Sequence, residues 1–134
     1  TLQPSTEIFS FRFHSGETII SSHREKHLVR DNGGYSVFSG ADLVDGPMPS
    51  DATVGASVVD GGSSRLRLSG VTQATGDAGT VEEDGLVIAS AEVHGKRHGE
   101  IDFGCRVTFS GVALSDSTIS DIEQIINSYY NGLY

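Results

Sequence analysis

The sequence predicts an α+β, mainly β domain. It should hold an N-terminal β-hairpin, an antiparallel sheet of about five strands and one C-terminal α-helix. Three observations carry this expectation. Apolar and polar residues alternate in several short runs, the signature of strands with one buried face. Gly, Asn and Asp separate those runs, and Gly makes up 17 of 134 residues, nearly twice the usual ~7%. The apolar period lengthens from two to about 3.6 only after residue 114. The length is that of one domain and is enough to bury about two thirds of the unfolded surface without a disulfide or metal.

In chain order, residues 1–22 read as the hairpin. Phe9, Phe11 and Phe13 share one face of a first strand, Ser15-Gly16 is a turn signal, and Thr18 to Ser21 begin a return. Residues 23–114 read as the sheet. Asp31-Asn32-Gly33-Gly34 breaks the basic stretch His23 to Arg30, because Gly and Asn accept positive φ cheaply. Tyr35 to Phe38 is a short strand, and residues 39–53, with Gly, Asp and two Pro, read as a loop. Val54 to Val59 and Arg65 to Leu68 follow as strands. Gly70 to Gly85 is a long hairpin loop, or one with a weak strand inside it. Leu86 to His94 is a strand. In the clearest alternation of the chain, Ile101, Phe103, Cys105, Val107 and Phe109 are expected on one buried face, with Asp102, Gly104, Arg106 and Thr108 on the other.

Residues 115–134 change period. Apolar side chains at Ile119, Ile122, Ile125, Ile126, Tyr129 and Tyr130 fall at helical offsets. Thr118 with Asp121 resembles a capping box, and Asn131-Gly132 is a stop signal. One helix of about 24 Å covers a sheet of five or six strands poorly, so a second copy of the chain is the expected source of the missing cover.

Composition excludes several classes. Eighteen Asp and Glu against nine Lys and Arg give a net charge of −9, which excludes a generally basic nucleic-acid clamp. The single Cys105 excludes an internal disulfide and reads as a buried small side chain. No run is long and apolar enough to span a bilayer. The first residues show neither a basic nor an apolar signal region, so a soluble protein of a reducing compartment is expected.

No reaction is legible. His23/His27 and His94/His98 have the spacing of two ligands on a helix, but both pairs fall in strand or turn segments. There, positions four apart stand roughly 13 Å from each other, so solvated loop histidines are the plainer reading and no metal is expected. Glu82-Glu83-Asp84 beside Gly85 reads as a solvated acidic turn. No nucleophile elbow, phosphate loop or calcium loop occurs. The chain is therefore not expected to be an enzyme or to use a cofactor. Arg65, Arg67 and Arg106 lie on the polar faces of their strands, with Ser90, His94 and Thr108 nearby if the strands are neighbours. Such a patch suits phosphate recognition through Arg forks; arginines paired with acids such as Glu92 and Asp102 are the alternative.

The ending Ser117-Thr118-Ile119-Ser120-Asp121-Ile122, running on to Tyr129-Tyr130-Asn131-Gly132-Leu133-Tyr134, resembles the C-termini of coat proteins of single-stranded RNA bacteriophages. The stretch Leu28 to Ser36 is similar to a strand-turn-strand region in one branch of that family. The resemblance implies a capsid subunit that dimerises, assembles into an icosahedral virion in the host cytoplasm and packages a single-stranded RNA genome. It implies that Arg65, Arg67, Ser90, His94, Arg106 and Thr108 face RNA. The helix, through Ile119, Ile122, Ile125, Ile126, Tyr129 and Tyr130, would pack on a partner's sheet. Phe103, Cys105, Val107 and Phe109 would lie near the dimer seam. Neither a membrane nor a small-molecule substrate enters this reading. The alternative is a small β-barrel module of the cyclic-dinucleotide-receptor type, gripping phosphates with Arg24 to Arg30; a small hydrolase or metalloenzyme ranks third.

Overall fold

The alternation of Phe9, Phe11 and Phe13 does put them on one face, but the other face of the same strand is buried too. In the computed structural model, which describes residues 3–16, 18–21, 26–31, 34–47, 49–81, 87–88 and 99–133, Ile8 points away from the phenylalanines into a second apolar cluster. A strand buried on both faces belongs in the middle of a layered structure. The elements in chain order are β1 (Ser5–Gly16), β2 (Thr18–Ser21), β3 (Lys26–Asp31), β4 (Gly34–Phe38), β5 (Asp42–Pro47), β6 (Thr53–Val59), β7 (Ser64–Leu68), β8 (Val71–Gly76), β9 (Val87–Ile88), β10 (Gly99–Ser110) and α1 (Asp116–Tyr129).

The domain is mainly β with one C-terminal helix, as expected, but it holds two sheets where one was anticipated. The first runs β10-β1-β6-β7-β8 and the second β5-β4-β3-β2-β9. Every pairing between these strands is antiparallel. The predicted N-terminal hairpin is not formed. β1 pairs with β10 and β6, whereas β2 pairs with β3 and β9. Ser15-Gly16, with Gly16 at φ 99, marks a crossing from one sheet to the other rather than a tight return. The segment read as a loop, 39–53, contains edge strand β5, whose Pro47 sits at a strand end, where a missing N–H costs no central ladder bond. Residues 70–85 carry β8, the weak strand that the sequence allowed. Its two-residue turn places Ser69 at φ 50 and Gly70 at φ 78, the left-handed pair that a tight hairpin requires. Of the strand expected over Leu86 to His94, Val87 and Ile88 form β9; the rest lies outside the described residues, as do His23, His94 and His98 and the Glu82-Glu83-Asp84 turn.

The two sheets pack face to face. Tyr35, Val37 and Leu43 from the second meet Phe9, Phe11, Phe13, Val59, Leu66 and Leu68 from the first. The opposite face of the first sheet, carrying Ile8, Val54, Ala56 and Val58, takes α1 through Ile119 and Ile126. The helix thus packs on its own chain's sheet, where the sequence placed it on a dimer partner. The sheet receives its missing cover from inside the chain.

The uniform alternation expected of β10 is also interrupted. Ser10 pairs with Cys105 but the next residue, Phe11, pairs with Phe103, leaving Gly104 as an extra residue. One inserted residue exchanges the faces of everything beyond it. Ile101 and Phe103 therefore join the inter-sheet core, while Cys105, Val107 and Phe109 join the cluster under α1.

The helix begins one turn fragment earlier than the Thr118/Asp121 reading. Ser115 is the N-cap, and its hydroxyl accepts from the Thr118 backbone N–H. It ends as Asn131-Gly132 suggested: Asn131 sits at φ 60, its N–H donates to the Ser128 carbonyl, and the Gly132 N–H donates to the Asn127 carbonyl. Those two bonds make a Schellman stop with Asn in the left-handed position.

Segments 39–41 and 77–81 cross in close contact. The Ser39 and Ala41 N–H groups donate to the Ala78 carbonyl at 2.7 and 3.1 Å. Gly79, at φ 87, lies so near that a Cβ would overlap the Ser39 carbonyl oxygen. Replacing Gly79 with Ala combines a left-handed φ with a backbone clash, so urea denaturation should show a loss of about 2–4 kcal/mol. An unchanged midpoint would contradict this crossing.

Candidate functional site

The arginines singled out by the sequence do not form one patch. Arg65 and Arg67 are on β7 and Arg106 is on β10, with β6 and β1 between them; three strand spacings amount to roughly 14 Å. They also face opposite ways. Arg65 and Arg67 pair with Val58 and Ala56 on the helix side of the sheet, and Arg106 pairs with Phe9 on the inter-sheet side.

Each of the three is held by a carboxylate. Arg67 donates through Nε and Nη2 to Glu123 at 3.2 and 2.9 Å, and through Nη1 to Thr72 at 2.8 Å. Both side chains of the Arg67–Glu123 pair are buried, at 6% and 0% exposure. Arg65 Nε lies 2.8 Å from Asp116 in the first turn of α1, and its Nη2 donates to the Leu114 carbonyl at 2.6 Å. Arg106 forks onto buried Glu7 at 2.5 and 2.7 Å, and the Thr108 hydroxyl donates to the same carboxylate. The pairing alternative raised by the sequence is thus realised, although with Asp116, Glu123 and Glu7 as the acids. Ser90 and His94 lie outside the described residues.

The residues expected at a dimer seam divide. Ile119 and Ile126 are buried under the chain's own helix, Ile122 and Tyr130 pack beside them, and Phe103 enters the inter-sheet core. Ile125 and Tyr129 are exposed, at 69% and 77%.

A pocket of about 210 Å³ opens beside the Gly104 bulge. β1 contributes Ser10, Phe11 and Arg12, β10 contributes Asp102, Phe103 and Gly104, and the chain after α1 contributes Tyr130 and Leu133. The bulge explains why these side chains meet. A Cβ at Gly104 would overlap the Ser10 hydroxyl and lie 2.9 Å from the Tyr130 hydroxyl, so only Gly lets the tyrosine come down onto the strand. The helix stop fixes the other wall. The Leu133 N–H donates to the Asn127 side-chain oxygen, and Tyr130 packs edge-on against Tyr129 with ring centroids 5.0 Å apart.

The rim is polar. Asp102 pairs with His14 at 3.0 Å. Ser10 accepts from the Cys105 N–H at 3.0 Å. Arg12, exposed and opposite Asp102 in the ladder, has no carboxylate partner within ion-pair distance among the described residues. The sequence reading gave Arg12, Asp102 and Gly104 no place in a binding site and assigned Tyr130 to an interface. The one available signal was the Gly inside an otherwise regular strand, which marks a bulge or a close approach.

No protein-family model and no curated protein sequence matches the chain. Among solved structures, it is similar to domain 4 of AbnA, a GH43 extracellular arabinanase from Geobacillus stearothermophilus, solved in complex with arabinotriose. Identity is 15% and the TM-score 0.53, over 92% of this chain and 68% of that one. At that identity the likeness is one of fold.

The Arg67–Glu123 pair should dominate the attachment of α1. Glu123→Ala leaves a buried guanidinium without its carboxylate and should cost about 3–5 kcal/mol in chemical denaturation. The double replacement Arg67→Met with Glu123→Leu should recover at least half of that loss. A single variant within about 0.5 kcal/mol of the parent would contradict the burial of this pair.

Proposed function

We propose that this domain is a non-catalytic carbohydrate-binding module that seats a sugar ring in the pocket at the Gly104 bulge. The observation that carries the reading is the make-up of that pocket: the Tyr130 ring and Leu133 set against the paired strands at Gly104, beneath a rim of Arg12 and Asp102. A sugar ring has an apolar C–H face and an equatorial belt of hydroxyls. The Tyr130 ring suits the first, and a charged donor and acceptor suit the second. The volume is below the ~300 Å³ of ordinary small-molecule pockets, which fits one ring of a longer chain. Because the walls come from two paired strands and a capped helix end, little ordering entropy is spent on binding.

The carboxylates favour binding over hydrolysis. Glycoside cleavage uses two carboxyl groups flanking one bond. Glu7 and Glu123 are buried against arginines, and Asp102 is the carboxylate among the residues lining the pocket. The arabinotriose held by the similarly folded arabinanase domain supports the ligand class.

A coat subunit is a second proposal. It draws on the sequence resemblance and on one placement: Ile125 and Tyr129 stand exposed on α1, where copies of the chain would meet. Shell-like particles in negative stain would favour it.

Isothermal titration with arabinotriose and a panel of neutral and acidic oligosaccharides tests the first reading. At least one should bind with a micromolar to millimolar Kd, and Tyr130→Ala should weaken it about tenfold while the fold, checked by circular dichroism, persists. Absence of binding to every saccharide would overturn the proposal.

A further inference from the structure

Arg12 sets the pocket apart from a neutral sugar site. Arg65, Arg67 and Arg106 each hold a carboxylate of the chain. Arg12 holds none among the described residues: Asp102, its neighbour across the ladder, is paired with His14. In a chain of net charge −9, an exposed guanidinium with no acid partner among the described residues, at the mouth of a pocket that Tyr130 lines, is free to take an external anion. Its planar fork matches a carboxylate in a bidentate geometry, which an ammonium does not offer.

We infer that the pocket selects a uronosyl unit, a sugar ring whose exocyclic carbon is a carboxylate, with Arg12 on the carboxylate and Tyr130 beside the ring. This rests on the carbohydrate-binding reading and names the substrate class within it. One ring fits the volume, so the selected unit is a single residue, with the remainder of the chain extending into solvent. Asp102 lines the same pocket, and its pairing with His14 keeps that carboxylate engaged.

The test is titration calorimetry of the protein with three trisaccharides: trigalacturonate, its methyl ester and arabinotriose. The acid should bind roughly tenfold or more tightly than its ester, and added salt should weaken the acid alone. Arg12→Gln should abolish the preference, weakening the acid roughly tenfold more than the ester. Arg12→Lys, which keeps the charge without the fork, should restore part of it. Arg12 is exposed, so thermal melts of both variants should match the parent. Equal affinity for acid and ester, or a preference that survives Arg12→Gln, would overturn the uronosyl assignment and leave the carbohydrate-binding reading standing. No binding of any of the three, with none in the wider panel, would overturn both.

Discussion

The buried pair between Arg67 and Glu123 organises more of this molecule than any other contact. A guanidinium and a carboxylate removed from water are tolerable only when each satisfies the other, and here the pair joins the fourth strand of one sheet to the middle of the helix. Ile119 and Ile126 bury beside Glu123 on the same face of α1. Apolar contacts supply non-directional attraction; the ion pair fixes the rotation and register at which that attraction is satisfied. Arg65 with Asp116 pins the first turn, and the Schellman stop closes the last.

That seating reaches the candidate site. Tyr130 and Leu133 follow directly on α1, so the position of the helix sets where they meet β1 and β10. The second constraint is the extra residue in β10. Gly104 turns half of the strand's side chains to the opposite face and leaves a gap that the Tyr130 ring enters. One bulge thus serves core and pocket together: it divides the apolar residues of β10 between two clusters, and it makes a concavity at the border between them.

Much of the local structure was legible in the sequence. The strand alternation of Phe9, Phe11 and Phe13, the weak strand allowed within residues 70–85 and the helix with its Asn131-Gly132 stop all follow from short-range rules. What was not legible is what lies across from each face. Alternation says that Arg65 and Arg67 point away from Leu66 and Leu68, but not that α1 waits there with two carboxylates. Glu123 carried a hint, since it falls at helical spacing between Ile119 and Ile126, and a carboxylate on an apolar face implies a buried cation. The N-terminal hairpin failed because Ser15-Gly16 fits a sheet-to-sheet crossing as well as a return. The unbroken face expected of β10 failed because Gly104 occupied a place in the pattern that a polar residue would also have filled.

The proposed sugar site lies where a strand bulge meets the end of a helix. Amide chemical shifts followed through a titration with arabinotriose and trigalacturonate test this most directly. Shifts confined to Arg12, Asp102, Gly104, Tyr130 and Leu133 are the expected result. Shifts that leave those amides unmoved, whether centred on the Ile125–Tyr129 face of α1 or absent altogether, would contradict it.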